Sequence, residues 1–175
     1  MQIRKKIRLI RDQIPVLYRY NPIARWLMIL LSTLVVIYCV YFLLRFVNSE
    51  TGMFYKLLPM FICFIALQSI LGKVTSLNSV LFEKDYLRLG FIARRPIIIA
   101  YDDIRSLDLK RKITYYLVIS YSDAKGKPAQ YTTPASFPNI LEVIVNIADL
   151  AHSAVIPETM KNLLEYVKES MQDEL

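Results

Sequence analysis

The stretch WLMILLSTLVVIYCVYFLL, Trp26 to Leu44, holds no charged residue and is flanked by Arg25 and Arg45. As a helix rising about 1.5 Å per residue it reaches roughly 28 Å, close to the ~30 Å hydrocarbon core of a bilayer. It predicts a membrane span. Downstream, LLPMFICFIALQSILG from Leu57 to Gly72 is a second apolar block. At roughly 24 Å it is short, but extension back to Met53 suffices if the Lys56 ammonium snorkels to the interface. Pro59 is expected in the first turn of this helix, where a missing N–H costs little. Asn48, Ser49, Thr51 and Gly52 are turn formers between the blocks, so the two spans are expected to form a tight hairpin.

Orientation follows from the bases near the span ends. Arg4, Lys5, Lys6, Arg8, Arg11, Arg19 and Arg25 precede the first span, whereas the connecting loop carries only Arg45 and Lys56. The positive-inside rule puts the N-terminus and everything from Lys73 to Leu175 in the cytoplasm and the loop outside. A cleaved signal peptide is disfavoured, because its charged region and apolar core would both be too long and no small-x-small site follows. The expected organisation is a basic arm (1–25), a two-span hairpin (26–72), a strand-rich cytoplasmic domain (73–152) and a C-terminal helix (153–175).

The chain has 175 residues and a formal net charge of +7. That charge is local: residues 1–25 carry seven bases against one acid, 45–56 two against one, and 73–175 thirteen of each. Basicity concentrated beside the membrane suits anionic inner-leaflet lipid and argues against a nucleic-acid partner. Both cysteines, Cys39 and Cys63, fall in the spans at similar depth. They are read as small buried hydrophobes, with a disulfide between them left open.

In MQIRKKIRLIRDQI, residues 1–14, Ile3, Ile7, Ile10 and Ile14 recur at four- and three-residue steps with Arg4, Lys5, Arg8 and Arg11 on other faces. This pattern suits a basic amphipathic helix at the headgroup boundary. A flank that only sets topology, or a helix docked on a partner subunit, remain alternatives. Pro15 and Pro22 limit any continuous helix into the first span.

After Lys73 the texture changes to short apolar runs with turn signals between them. Strands are expected at 80–83, 86–92, 95–101, 104–111, 114–121 and 129–133, with 74–77 as a further possibility. In 104–111, Ile104, Leu107 and Leu109 alternate with Arg105, Asp108 and Lys110 but slip phase once, which indicates a bulge. SDAKGKP at 122–128 is expected to be a hairpin loop. The periodicity then becomes helical: Pro138-Asn139 marks a start, with Ile140, Ile144, Ile147 and Ala151 on one stripe widened by Leu141 and Ala148. A second helix is expected from Pro157-Glu158. Antiparallel strands closed by a helix define an α+β half-barrel or roll.

The segment VLFEKDYLRLGFIARRPIIIAYDDIRSLDLKRK resembles the core of bacterial pleckstrin-homology-like domains, above all in the element Ile99-Ala100-Tyr101-Asp102-Asp103-Ile104-Arg105-Ser106-Leu107. The resemblance covers roughly Val80 to Leu150. It implies a PH-like seven-stranded fold following two spans in a bacterial cytoplasmic (inner) membrane, although six strands are clear. The first hairpin offers only Lys84 and Arg88, so inositol-lipid recognition is not carried over.

Catalysis finds little support. His152 has no cysteine or carboxylate at ligand spacing, four glycines form no phosphate-cradling loop, and Asp102-Asp103 reads as a turn. No catalytic residue, metal or cofactor is expected. Gln68 is expected to be interhelical glue, and the spans lack the ionisable residues of a transport path. The basic clusters Arg94-Arg95 and Lys110-Arg111-Lys112 are candidates, with Arg4, Lys5, Arg8 and Arg11, for headgroup contact. Tyr115, Tyr116 and Tyr121 mark a candidate edge for a partner peptide. The expectation is a membrane-tethered binding module, accessory or scaffolding, with anionic phospholipid and a protein partner or a second copy as its ligands. The alternative is a subunit of a lipid- or solute-transport or envelope-stress system acting through its spans.

Overall fold

The computed structural model describes residues 10, 13–48, 50–111, 114–158, 160–162 and 164–165. It has two units: one runs from Tyr20 to Ser76 with Phe91–Arg94, and the other contains the strands and the C-terminal part of the chain.

The first unit is a pair of helices, α1 (Pro22–Phe46) and α2 (Met53–Thr75). Both are long and apolar enough to cross a membrane. Leu27, Leu34, Tyr41, Phe61, Phe64 and Leu71 are among the large side chains left exposed, far more exposed apolar area than scattered surface residues supply and the mark of an interaction face. Pro22 occupies the first turn of α1, and the Asn21 side chain caps it by accepting from the Ile23 and Ala24 amides at 3.0 and 3.4 Å. In the connection, Thr51 N–H donates to the Asn48 carbonyl at 3.1 Å and its hydroxyl accepts from the Asn48 amide at 2.8 Å. Because α2 already begins at Met53, Pro59 lies inside the helix and not in its first turn. Its ring removes the N–H that the Tyr55 carbonyl would otherwise receive.

Among its described residues the second unit has seven strands, one longer helix and further helical residues from Glu158. β1 (Val16–Arg19), β2 (Ser79–Phe82), β3 (Tyr86–Gly90) and β4 (Ile97–Ala100) form one antiparallel sheet in that order. β5 (Ile104–Arg111), β6 (Tyr115–Ser122) and β7 (Pro128–Pro134) form a second. Neither closes on itself, and with α3 (Ile140–Leu150) they give an α+β layout. The six strands expected after the spans are present, and the bulge falls between Ile104 and Ser106. The β6–β7 loop turns on Gly126 at φ +73°, with the Asp123 carboxylate accepting the Lys125 and Lys127 amides at 2.8 Å each.

The seventh strand is not at 74–77, where α2 runs on to Thr75 and Ser76 caps it, but before α1. Val16 to Arg19 pairs with Phe82 to Ser79, so the helical hairpin is an insertion between two neighbouring strands of one sheet. Tyr18 turns inward and packs edge-on against Phe82, ring centroids 5.8 Å apart, while Leu17 on the other face is 51% exposed.

The core comes from the inner faces of both sheets, including Phe82, Leu87, Leu89, Ile99, Leu107 and Ile119, and from α3. Five consecutive residues of α3, Val143 to Ile147, are buried, more than the single stripe expected from periodicity. A helix enclosed all round needs cover on its far side. Ile10 supplies part of it: the residue is 2% exposed, and its amide donates to the Asn146 Oδ1 at 3.0 Å. Asn146, only 1% exposed, donates in turn from Nδ2 to the Glu142 carbonyl at 2.8 Å. At Ile10, therefore, the apolar stripe of the arm faces protein interior and not a membrane surface. The chain is helical again at Glu158, Met160 to Asn162 and Leu164 to Glu165, with Met160 and Leu164 buried.

Candidate functional site

The basic residues singled out in the sequence separate into distinct settings. Arg94 lies in the helical unit, where the loop Phe91–Arg94 meets the end of α2 through the Ala93 amide, which donates to the Val74 carbonyl at 3.3 Å. The Arg94 guanidinium sits 3.6 Å over the Phe91 ring, a contact that retains the charge while giving the aromatic ring a partner. Arg95 begins the next stretch of the other unit. Lys110 and Arg111 end β5; Lys110 is 3.9 Å from the Asp108 carboxylate and Arg111 lies 5.6 Å from the Tyr115 ring centroid. Arg4, Lys5, Arg8, Arg11 and Lys112 fall outside the described residues.

The tyrosine edge requires correction. Tyr115, Tyr116 and Tyr121 belong to β6, which is paired with β5 on one side and β7 on the other. Its backbone donors and acceptors are engaged in both ladders, so β6 cannot receive a partner strand. Tyr121 is moreover buried, whereas Tyr115 is 48% exposed. Among the described residues the outer strand of this sheet is β7, with Gln130 and Thr132 exposed. The other outer strand, β5, is bridged by Val155: the Leu107 amide donates to the Val155 carbonyl and the Val155 amide to the Arg105 carbonyl, at 3.1 and 2.8 Å.

A site that the sequence did not signal lies at the open end of the helical hairpin. Arg25, read as a flanking charge, is 6% exposed. Its Nη2 donates to the Lys73 carbonyl, to the Ser76 carbonyl at 3.1 Å and to the Ser76 hydroxyl at 2.9 Å, and its guanidinium lies 5.3 Å from the Tyr20 ring centroid. One arginine thereby fastens the start of α1 to the end of α2. Beside it is a cleft of about 190 Å³ lined by Arg25, Lys73, Ser76, Asn21, Ala24 and Met28 among others.

Between and along α1 and α2, the Ser32 hydroxyl donates to the Ser69 hydroxyl at 3.3 Å, and the Thr33 hydroxyl donates to the Ile29 carbonyl at 2.8 Å. Gln68 is exposed, so the polar contact between α1 and α2 is made by Ser69 and not by Gln68. Cys39 and Cys63 are free thiols. Asp102 and Asp103 form a short 3-10 turn with the buried Tyr101, and no group of three or more potential metal ligands occurs among the described residues. His152 is exposed after α3, with Nδ1 3.1 Å from the Leu150 carbonyl.

Two buried tyrosines carry the clearest electrostatic signal. Tyr101 donates to the Glu83 carbonyl at 2.8 Å; burial, then the charges of Glu83 and Asp85, raises its pKa above the ordinary value. Tyr18 is raised by burial first and then by the Glu142 carboxylate, to which it hydrogen-bonds. A folded-state pKa above the unfolded value contributes stability that is complete below the unfolded pKa of about 10 and is lost as pH rises beyond it. The thermal midpoint of the strand unit is therefore expected to hold at pH 8–9 and fall above about pH 10. Tyr18→Phe combined with Tyr101→Phe should flatten that fall, and an unchanged slope in the double variant would refute the attribution.

The chain was compared with known proteins: no family model matches it, and no curated protein matches it.

Proposed function

We propose that this chain is a membrane-tethered, non-enzymatic binding module of the bacterial inner membrane. A PH-like domain faces the cytoplasm, held by a two-span hairpin, and serves as an accessory or scaffolding subunit that engages a protein partner. The observation that carries this reading is the antiparallel pairing of Val16–Arg19 with Ser79–Phe82. Strands that share a ladder occupy one compartment. Helices inserted between them must return the chain to the side it left, which an even number of crossings does and a single crossing cannot. The surplus of bases before α1 then favours the cytoplasmic side.

Two further features support the PH-like reading over other α+β layouts: the strand count of four plus three, and a helix following the last strand. The hydroxyls within the spans bond to one another or to their own helix, which favours a tether over a transport path. For the partner, the outer strand β7 offers an unshared ladder edge among the described strands.

The test is site-specific photocrosslinking in intact membranes from Gln130 and Thr132, with Leu17 as a second surface. A crosslinked protein that co-purifies in mild detergent is the expected result. Monomer alone from every position would overturn the scaffolding role, and crosslinks confined to the exposed Gln68 of α2 would favour action through the spans. A reporter fused after Leu175 should behave as cytoplasmic; a periplasmic signal would overturn the orientation.

A further inference from the structure

We infer that the cleft at the open end of the hairpin binds the phosphate of an anionic phospholipid, an inference that rests on α1 and α2 spanning a membrane. Its wall contains two cations, Arg25 and Lys73, three neutral polar side chains, Tyr20, Asn21 and Ser76, and no carboxylate. Arg25 is held in place by its bonds to Lys73 and Ser76, so its charge is positioned before any ligand arrives and little ordering is lost on binding. Lys73 is exposed and offers a mobile ammonium that can close on a phosphate oxygen. Ala24 and Met28 form the apolar part of the wall. They lie on α1 one turn apart, along the direction in which that helix enters its uncharged stretch, and suit the first methylenes of an acyl chain.

The depth is also right. Arg25 and Lys73 stand at the boundary where the uncharged residues of the two helices give way to polar sequence, which is where lipid phosphates lie. A free phosphate ion would satisfy the cations but leave the apolar wall uncovered. A choline lipid carries the phosphate, but its quaternary ammonium would meet two like charges. An anionic glycerophospholipid satisfies all parts of the cleft.

The experiment uses the full chain purified in neutral detergent and titrated with phosphatidylglycerol, phosphatidylcholine or inorganic phosphate, with bound lipid counted by native mass spectrometry. Phosphatidylglycerol should saturate at one per chain, and phosphatidylcholine should bind about tenfold more weakly. Inorganic phosphate should not displace the lipid. Lys73→Glu, at an exposed side chain, should weaken phosphatidylglycerol binding roughly tenfold, whereas Arg45→Glu at the opposite end of α1 should leave it unchanged. Equal binding of the two lipids, wild-type binding by Lys73→Glu, or displacement by inorganic phosphate would overturn the site. Membrane integration is measured separately by carbonate extraction. A chain that resists extraction yet binds lipid regardless of Lys73→Glu refutes only this site, and a chain released by carbonate refutes the spans as well.

Discussion

A chain that begins at Leu77, without the residues that precede the first helix, is expected not to fold. It would lack β1, and with it the ladder from Val16↔Phe82 to Arg19↔Ser79, the Tyr18 ring against Phe82, and the cover that Ile10 gives to α3. The backbone of β2 would be bared along one edge, next to Phe82, which is fully buried in the intact protein. Replacing residues 20–76 by Asn-Gly should have the opposite outcome. Arg19 and Ser79 are register partners, so Asn-Gly followed by Leu77 and Asn78 makes a four-residue hairpin connection, a length that antiparallel strands accept. The expected product is a soluble domain with a cooperative thermal transition, measured by circular dichroism, while the Leu77-initiated chain aggregates or melts without a transition. Cooperative folding of both would show that β1 is dispensable.

The second large effect is expected at Tyr18. Its ring is 7% exposed and packs on Phe82, and its hydroxyl bonds to Glu142. Tyr18→Ala should destabilise the strand unit by about 3–5 kcal/mol through loss of buried area and the resulting cavity. Tyr18→Phe should cost less, about 1–2 kcal/mol, because the ring remains and only the hydroxyl's bonds to Glu142 and Asn146 are lost. Urea titration of the soluble replacement described above measures both. Equal costs for the two substitutions would mean that the hydroxyl, and not the ring, anchors β1 to α3.

Much of the architecture was legible because it is written in local periodicity. The uncharged run from Trp26, the alternation in 104–111 and its single slip all register within a window of a few residues. β1 was not legible for the complementary reason. Val-Leu-Tyr-Arg is a good strand sequence, but it spans only four residues between Pro15 and Pro22, inside a segment whose bases dominate its reading. Its partner lies beyond both apolar blocks. Burial of Val145 and Asn146 escaped likewise, since the cover over that face of α3 comes from a residue 136 positions away. At the candidate site, Arg94 could be noticed as part of a basic pair, but its membership of the helical unit depends on a loop meeting the end of α2. The buried role of Arg25 had no signal beyond its position beside a span, and the strand order that removes β6 from the edge of its sheet is a property of pairing, not of any strand's own residues.

The insertion of the hairpin between β1 and β2 sets a timetable for biogenesis. Translation delivers β1 first, then both apolar helices, and only then the strand that completes its ladder; at about 5–20 residues per second the wait is several seconds. During that interval Val16 to Arg19 has no mate. Had only one helix threaded the bilayer, β1 and β2 would emerge in different compartments and never meet. Under the proposed two-span topology, folding of the strand unit would act as a proofreading step for insertion: a chain that entered the membrane incorrectly would be left with an exposed β2 edge, the kind of signal that quality-control proteases recognise.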